Sequence, residues 1–322
     1  MGEKNYAYSV ARVRSKEAFL LTGSDLEQLL SADSYGAALR LLRDKGYDSA
    51  DNAEESGSLT IGAEQELWTF LTEIAEEHLL HFLQLPQDYH NIKASVKAVF
   101  SNQDPEPFLL PYGSIDGGQI AACVKQRKFA PLPQKLAETA EEALRLLFQM
   151  QDGQACETYI DRERLYAMET AAKDTGDAFL QSYTTLFVNF SNWKTALRCT
   201  MMQKSEDFLR YALYPGGTLY LDGLVKAAAS GTDALAERLE QEGHPDGAES
   251  MKQSASAFET WCDNQCMNFL EQAKFESFSA APILAYFYAK QTELGAVKLI
   301  LSGKQNRIQD RLIRERVRRL YV

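Results

Sequence analysis

A phrase written twice constrains this chain more than any single motif. Residues 188–198 read VNFSNWKTALR and residues 87–97 read QDYHNIKASVK. Aligned without gaps on Asn91 and Asn192, the two regions match Leu79 with Leu180, Phe82 with Tyr183, Ile92 with Trp193, Lys93 with Lys194, Val96 with Leu197 and Lys97 with Arg198. A third copy fits the same frame when Ala296 takes the Asn position, giving Leu284, Phe287, Val297, Lys298 and Leu301. Each coincidence alone is weak. A single ungapped frame that returns a Leu, an aromatic and a Lys three times argues for a repeated unit.

A second landmark keeps the same interval. LLPYGSIDGG contains Pro111, Gly113 and Ser114, and LYPGGTLYLDG contains Pro215, Gly217 and Thr218 at an offset of 104, close to the 101 between the asparagines. A fainter match joins SDLEQLLSADSYGAAL, DGGQIAACVKQRKFAPL and LYLDGLVKAAASGTDAL, each a short apolar helix, a break and another helix. Units of roughly a hundred residues exceed short solenoid repeats, so each can bury a core, and three would form a row or a closed ring. The first helix, NYAYSVARVRSKEAFLL, resembles the part of the phrase after its Lys, as a closed ring would require, although a row would share this feature. The expected organisation is residues 1–21 as an N-terminal helix completing the ring, 22–115, 116–219, and 220–322 with a basic C-terminal helix.

The periodicity predicts an all-α chain. Trp68, Leu71, Ala75, Leu79 and Phe82 step by three and four, as do Leu136, Ala140, Ala143, Leu147 and Met150 after Pro133, which suits a first helical turn. Strand-like alternation is scarce. Breaks fall at the two Pro/Gly-rich landmarks, and the acidic run DKGYDSADNAEESGS over 44–58 reads as a loop.

Composition removes several function classes. A formal charge of -11 argues against nucleic-acid binding, which needs a basic field. The tail is locally basic, with Lys304, Arg307, Arg311, Arg314, Arg316, Arg318 and Arg319 against Asp310 and Glu315. The longest apolar run, AAPILAYFYA, falls short of the ~20 residues a spanning helix needs. The start MGEKNYAYSVARVR lacks the apolar region of a signal peptide, and Tyr6 stands where a myristoylation motif wants Ser or Thr. Five cysteines at irregular spacing suit free thiols in a reducing compartment; Cys262 and Cys266 share a helix face but lack a nearby His, so they read as a thiol pair. His78 and His81, with Glu77, could face a metal, but Phe179 and Ile283 match His78 in the other copies, which favours a structural role. The SGK at 302–304 has Lys298 where a phosphate-binding loop needs its first Gly, and neither a GxSxG elbow nor a paired DD occurs. No catalytic residue, cofactor, metal or bound nucleotide is expected.

The repeated lysines are the sharpest candidates for contact with a partner: Lys93, Lys194 and Lys298, with Lys97 and Arg198 beside two of them. The plainer reading makes them helix-face salt bridges or snorkelling stems. Asn91 and Asn192 read as helix-capping or helix-break residues, and the aromatic column reads as core.

The closing stretch resembles a known family. Pro282, Ala289–Lys290, Glu293, Lys298, Gly303–Lys304 and the ending from Ile313 to Val322 are similar to the C-terminal signature of the C subunits of archaeal and bacterial V/A-type rotary ATPases, relatives of the eukaryotic d subunit. The DYHNIK phrase and the Tyr-Ala-Tyr start are similar as well, and the resemblance covers essentially the whole chain. Gly295–Ala296 depart from the polar pair often found there. The resemblance implies three similar helical bundles around a pseudo-threefold axis, forming a funnel on the cytoplasmic side of the membrane rotor ring. It implies a non-catalytic coupler whose mouth receives the D and F subunits of the central stalk, so that ATP hydrolysis or synthesis is linked to proton or sodium transport. Two other readings compete: a three-repeat helical adaptor outside any rotary ATPase, and a helical enzyme with a deep pocket of perturbed acids in one copy only.

Overall fold

The computed structural model describes residues 6–47, 56–151 and 153–322, and among these it contains helices and no strand. In chain order the helices are α1 (Ala7–Glu17), α2 (Gly23–Ser31), α3 (Tyr35–Asp44), α4 (Ser56–Ile74), α5 (Glu77–Ser101), α6 (Gly117–Gln126), α7 (Gln134–Met150) and α8 (Gly153–Thr175). They continue with α9 (Ala178–Met201), α10 (Glu206–Ala212), α11 (Leu221–Ser230), α12 (Thr232–Gln241), α13 (Pro245–Gln253), α14 (Ala255–Leu270), α15 (Ala281–Gln305) and α16 (Asp310–Arg314). The chain divides into two compact units. Unit 1 holds Met1–Ala75, Asp177–Tyr183 and Thr232–Val322, and unit 2 holds Glu76–Gly176 and Thr184–Gly231.

In unit 1 the long helix α15 packs against α1, α3, α4 and α14. Its face of Leu294, Val297, Ile300 and Leu301 is buried with Leu26, Leu29 and Leu30 of α2 and Leu39 and Leu42 of α3. Thr22 starts α2 with a reciprocal capping box: its hydroxyl accepts from Asp25 N–H while the Asp25 carboxylate accepts from Thr22 N–H. Such a box satisfies two backbone donors that a helix start otherwise leaves open. In unit 2, α5 packs against α6, α7 and α8. Leu136, Ala140, Ala143 and Leu147 of α7 are all buried, as their spacing predicts.

The repeat columns sit where the frame puts them. Leu79, Leu180 and Leu284 are buried, and so are Phe82, Tyr183 and Phe287. Two local expectations shift. The stripe from Trp68 to Phe82 runs through a break, because Glu76 is extended between α4 and α5. Pro133 occupies the N-cap of α7, one residue before the first turn. The loop expected over 44–58 lies mostly outside the described residues.

Candidate functional site

The polar side chains of the long helices carry the most organised chemistry of each unit. Asn91 is fully buried in the middle of α5. Its amide donates to Leu110 C=O at 2.9 Å and accepts from Leu110 N–H at 2.7 Å. Asn192 on α9 does the same for Tyr214, with both bonds at 2.9 Å. Neither residue caps or breaks a helix. Each uses its amide as a substitute peptide group, satisfying the donor and acceptor of a residue that immediately precedes Pro111 or Pro215.

One turn earlier a second bond set holds the same loops. Asp88 accepts from the Ser114 hydroxyl at 2.6 Å and from Ile115 N–H at 3.3 Å. Asn189 accepts from Thr218 N–H at 2.9 Å and donates to Thr218 Oγ1 at 2.8 Å. The repeated turn glycines follow from this closeness. A Cβ at Gly113 would meet Asp88 Oδ1 at 2.4 Å, and one at Gly217, where φ is +72°, would meet Asn189 Oδ1 at 2.2 Å. Burial pushes the Asp88 carboxyl above its usual range, outweighing the bonds from Ser114 and Ile115.

In the third copy of the frame this position is Glu293 on α15, also buried. It accepts from Leu21 N–H at 2.6 Å and from the Tyr47 hydroxyl, and pairs with Lys290 at 2.5 Å. Lys290 also lies over the Tyr47 ring, 4.5 Å from its centroid. Burial and the neighbouring Glu293 drive the Tyr47 hydroxyl far above its ordinary pKa, so it stays a donor. In the repeat frame Asp88, Asn189 and Glu293 fall in one column, three polar residues at the same position of their helices. The usual expectation that acids on a helix are solvated conceals it.

Lys93, Lys97 and Lys298 each tie one helix to another. Lys93 pairs with Asp161 at 2.7 Å and Lys97 with Glu157 at 2.6 Å, two rungs of a ladder between α5 and α8. Lys298 on α15 reaches Glu64 on α4 at 3.2 Å. On α9, Lys194 is half-buried and Arg198 exposed. The lysines are thus distributed over three helices, two of them in unit 2 and one in unit 1. Each unit also holds a cavity against its long helix at matching columns. Tyr286 and Lys290 line one of about 260 Å³, with Lys16, Lys45 and Phe70. His81 and Leu85 line the other, of about 230 Å³, with His78, Tyr166 and Asp174. No helix among the described residues is long and apolar enough to cross a membrane.

Residues 9–316 match the model of the ATP synthase (C/AC39) subunit family. The chain belongs to that family. It is 21% identical to the C subunit of the V-type sodium ATPase of Enterococcus hirae, over 96% of this chain and 97% of that protein. It is 23% identical to the C subunit of the A-type ATP synthase of Pyrococcus abyssi, over 97% and 90% respectively, and to that of Halobacterium salinarum, over 94% and 95%.

In this C/AC39 chain the closing signature is built into the packing. Lys290 and Glu293 form the buried network just described. Gly303 lets Ile313 approach, since a Cβ there would meet Ile313 Cδ1 at 2.4 Å. Lys304 donates to Leu30 C=O at 2.8 Å and Ala32 C=O at 2.6 Å, satisfying the open carbonyls at the end of α2. The basic end forms the short helix α16, followed by a turn and residues without regular secondary structure up to Val322. Arg314 pairs with Glu27, Arg318 with Asp263 at 3.0 Å, and Arg319 with Glu271 at 2.9 Å. Leu320 and Tyr321 are buried, so the basic tail is stapled to its own unit.

Proposed function

We propose that the chain is a non-catalytic rotor component of a V/A-type ATPase or synthase, a socket between the central stalk and the membrane rotor ring. On this reading, three copies of one helical unit surround a pseudo-threefold axis at the cytoplasmic face of the membrane. The D and F subunits enter the socket, the ring binds below, and torque links ATP hydrolysis or synthesis to proton or sodium movement.

The observation that carries the reading is family membership over residues 9–316, with relatives named as C subunits of such enzymes matched along nearly their whole length. The local architecture supports it. A coupler needs stiffness, and buried bonds to loop backbones from α5, α9 and α15 supply it. The lysine column is the candidate contact set within this reading. Lys97 keeps 54% and Lys298 51% of its side chain exposed while paired, so a partner's carboxylate could share either cation.

Size-exclusion co-elution with a purified D–F pair from the same organism tests the socket. A complex at micromolar concentration, weakened by salt, is the expected result. Replacing Lys93, Lys97, Lys194, Arg198 and Lys298 by Gln should then weaken the complex while leaving helicity intact. Gln avoids setting a new carboxylate against Asp161, Glu157 or Glu64. Stability should change by no more than about 1 kcal/mol per exposed pair. Folded partners that never co-elute, with or without the ring, would overturn the socket and leave an adaptor that shares the fold. Unchanged affinity in the Gln variant would return these cations to purely internal pairing.

A further inference from the structure

Unit 2 carries a patch that neither the loop bonds nor the lysine column uses. At the C-terminal ends of α5 and α7, the Phe100 and Phe148 rings meet edge to face with centroids 6.0 Å apart, 47% and 44% exposed. The Arg127 guanidinium lies over Phe148, 5.1 Å from its centroid. Arg127 caps α6, and Lys125, Arg127 and Lys128 are all exposed within four residues. Among the described residues none of the three is ion-paired, although Lys93, Lys97 and Lys135 of the same unit all find carboxylates.

Three features make this more than a solvated helix end. A helix C-terminus attracts cations, but the attraction fades within one turn and does not call for three of them. Arg127 holds a left-handed backbone, with φ of 56°, at a position that suits Gly or Asn. That conformation places a cation on an aromatic face instead of relaxing the cap. The acids nearest in sequence are engaged elsewhere: Asp116 caps the opposite end of α6, accepting from Gln119 N–H at 2.9 Å, and Glu138 accepts from the Gln134 amide at 2.9 Å.

We propose that this tip docks an acidic segment of a partner protein, with carboxylates on Lys125, Arg127 and Lys128 and an apolar side chain across the Phe100–Phe148 platform. The rings argue for a protein over a lipid surface. They are half-buried, with the edge of one ring against the face of the other and Arg127 over Phe148, so neither projects freely. A membrane wedge would project a free aromatic side chain, as Phe275 does at 89% exposure. If the socket reading holds, the segment belongs to a stalk or ring protein, but the chemistry stands apart from that reading.

The test uses the full chain and a fluorescent peptide alternating Glu with Leu and Phe, read by anisotropy, beside vesicles of phosphatidylcholine and phosphatidylserine. Salt-sensitive peptide binding is expected, with affinity falling about tenfold in Arg127→Gly and further when Lys125, Arg127 and Lys128 all become Glu. Arg127→Gly removes the cation and relieves the positive φ, so a loss of binding there cannot be a loss of folding. A control reversing Arg40, Lys226 and Lys252 should keep wild-type affinity. Equal loss in the control, no loss at the tip, or tip-dependent capture by the vesicles without peptide binding would each overturn the proposal. No rotor protein other than this chain enters the peptide assay, so its failure and a failed D–F co-elution remain separate results.

Discussion

Asp88 on α5 and Glu293 on α15 occupy one repeat position and reach very different distances along the chain. Asp88 holds Ser114 and Ile115, which follow it by 26 and 27 residues. Glu293 holds Leu21 and Tyr47, separated from it by 272 and 246 residues. Asp88 works with Asn91 one turn on, whereas α15 has Ala296 at the corresponding place and adds the cation Lys290 instead. A buried carboxyl group can therefore serve either a short loop or the joint between distant segments. The distant joint closes a longer stretch of chain, which costs more entropy, and it carries the stronger, charge-assisted bonds.

This contrast can be broken at its strong end first. Glu293→Ala leaves Lys290, the Leu21 N–H and the Tyr47 hydroxyl without their buried partner, and should cost about 3–5 kcal/mol. Urea unfolding would show this as a lower midpoint; a loss under about 1 kcal/mol would mean that the joint is held elsewhere. The amide bonds come next. Asn192→Ala and Asn91→Ala should each cost about 1–3 kcal/mol, with Asn192 the larger. Tyr214 is 7% exposed and Leu110 41%, so water can replace the lost bonds only at Leu110. Equal losses would remove that distinction.

Asp88→Asn copies the amide found at Asn189 and should change stability least, by under about 1 kcal/mol near neutral pH. Its effect should depend on pH. The folded Asp88 pKa lies above the ordinary 3.8, so ionisation costs stability. That cost is absent below the unfolded pKa, grows as pH rises towards the folded pKa, and is constant above it. Wild type should therefore gain on the variant as pH falls through this window. Parallel thermal-melting profiles would show that the carboxyl is not strained by burial.

The helical class and the apolar columns are legible in the sequence because both are local. Spacing by three and four places Leu79, Phe82, Ile92 and Val96 on one face whatever lies beside it. The lysines are ambiguous in the sequence because a salt bridge depends on its neighbour. Only packing reveals that α8 brings Asp161 and Glu157 to Lys93 and Lys97. Asn91 and Asn192 escape a sequence reading for a similar reason: propensity assigns Asn to helix ends, and tertiary bonds to a loop override it in mid-helix. The break at Glu76 is invisible because the apolar stripe continues across it, with no Gly or Pro as a signal. Nothing near Glu293 in sequence points to Leu21 or Tyr47.

The Glu293 network also has a consequence for synthesis. The long continuous stretch of unit 2, Glu76–Gly176, leaves the ribosome well before residue 293 is made. Leu21 and Tyr47 must wait for Glu293. At roughly 5–20 residues per second, the 272 residues between Leu21 and Glu293 take tens of seconds. During that interval the apolar faces of α2 and α3 lack the α15 surface that buries them, and the nascent chain is open to chaperones or to wrong partners. The long-range joint of unit 1 thus keeps its first helices waiting for a partner made 272 residues later.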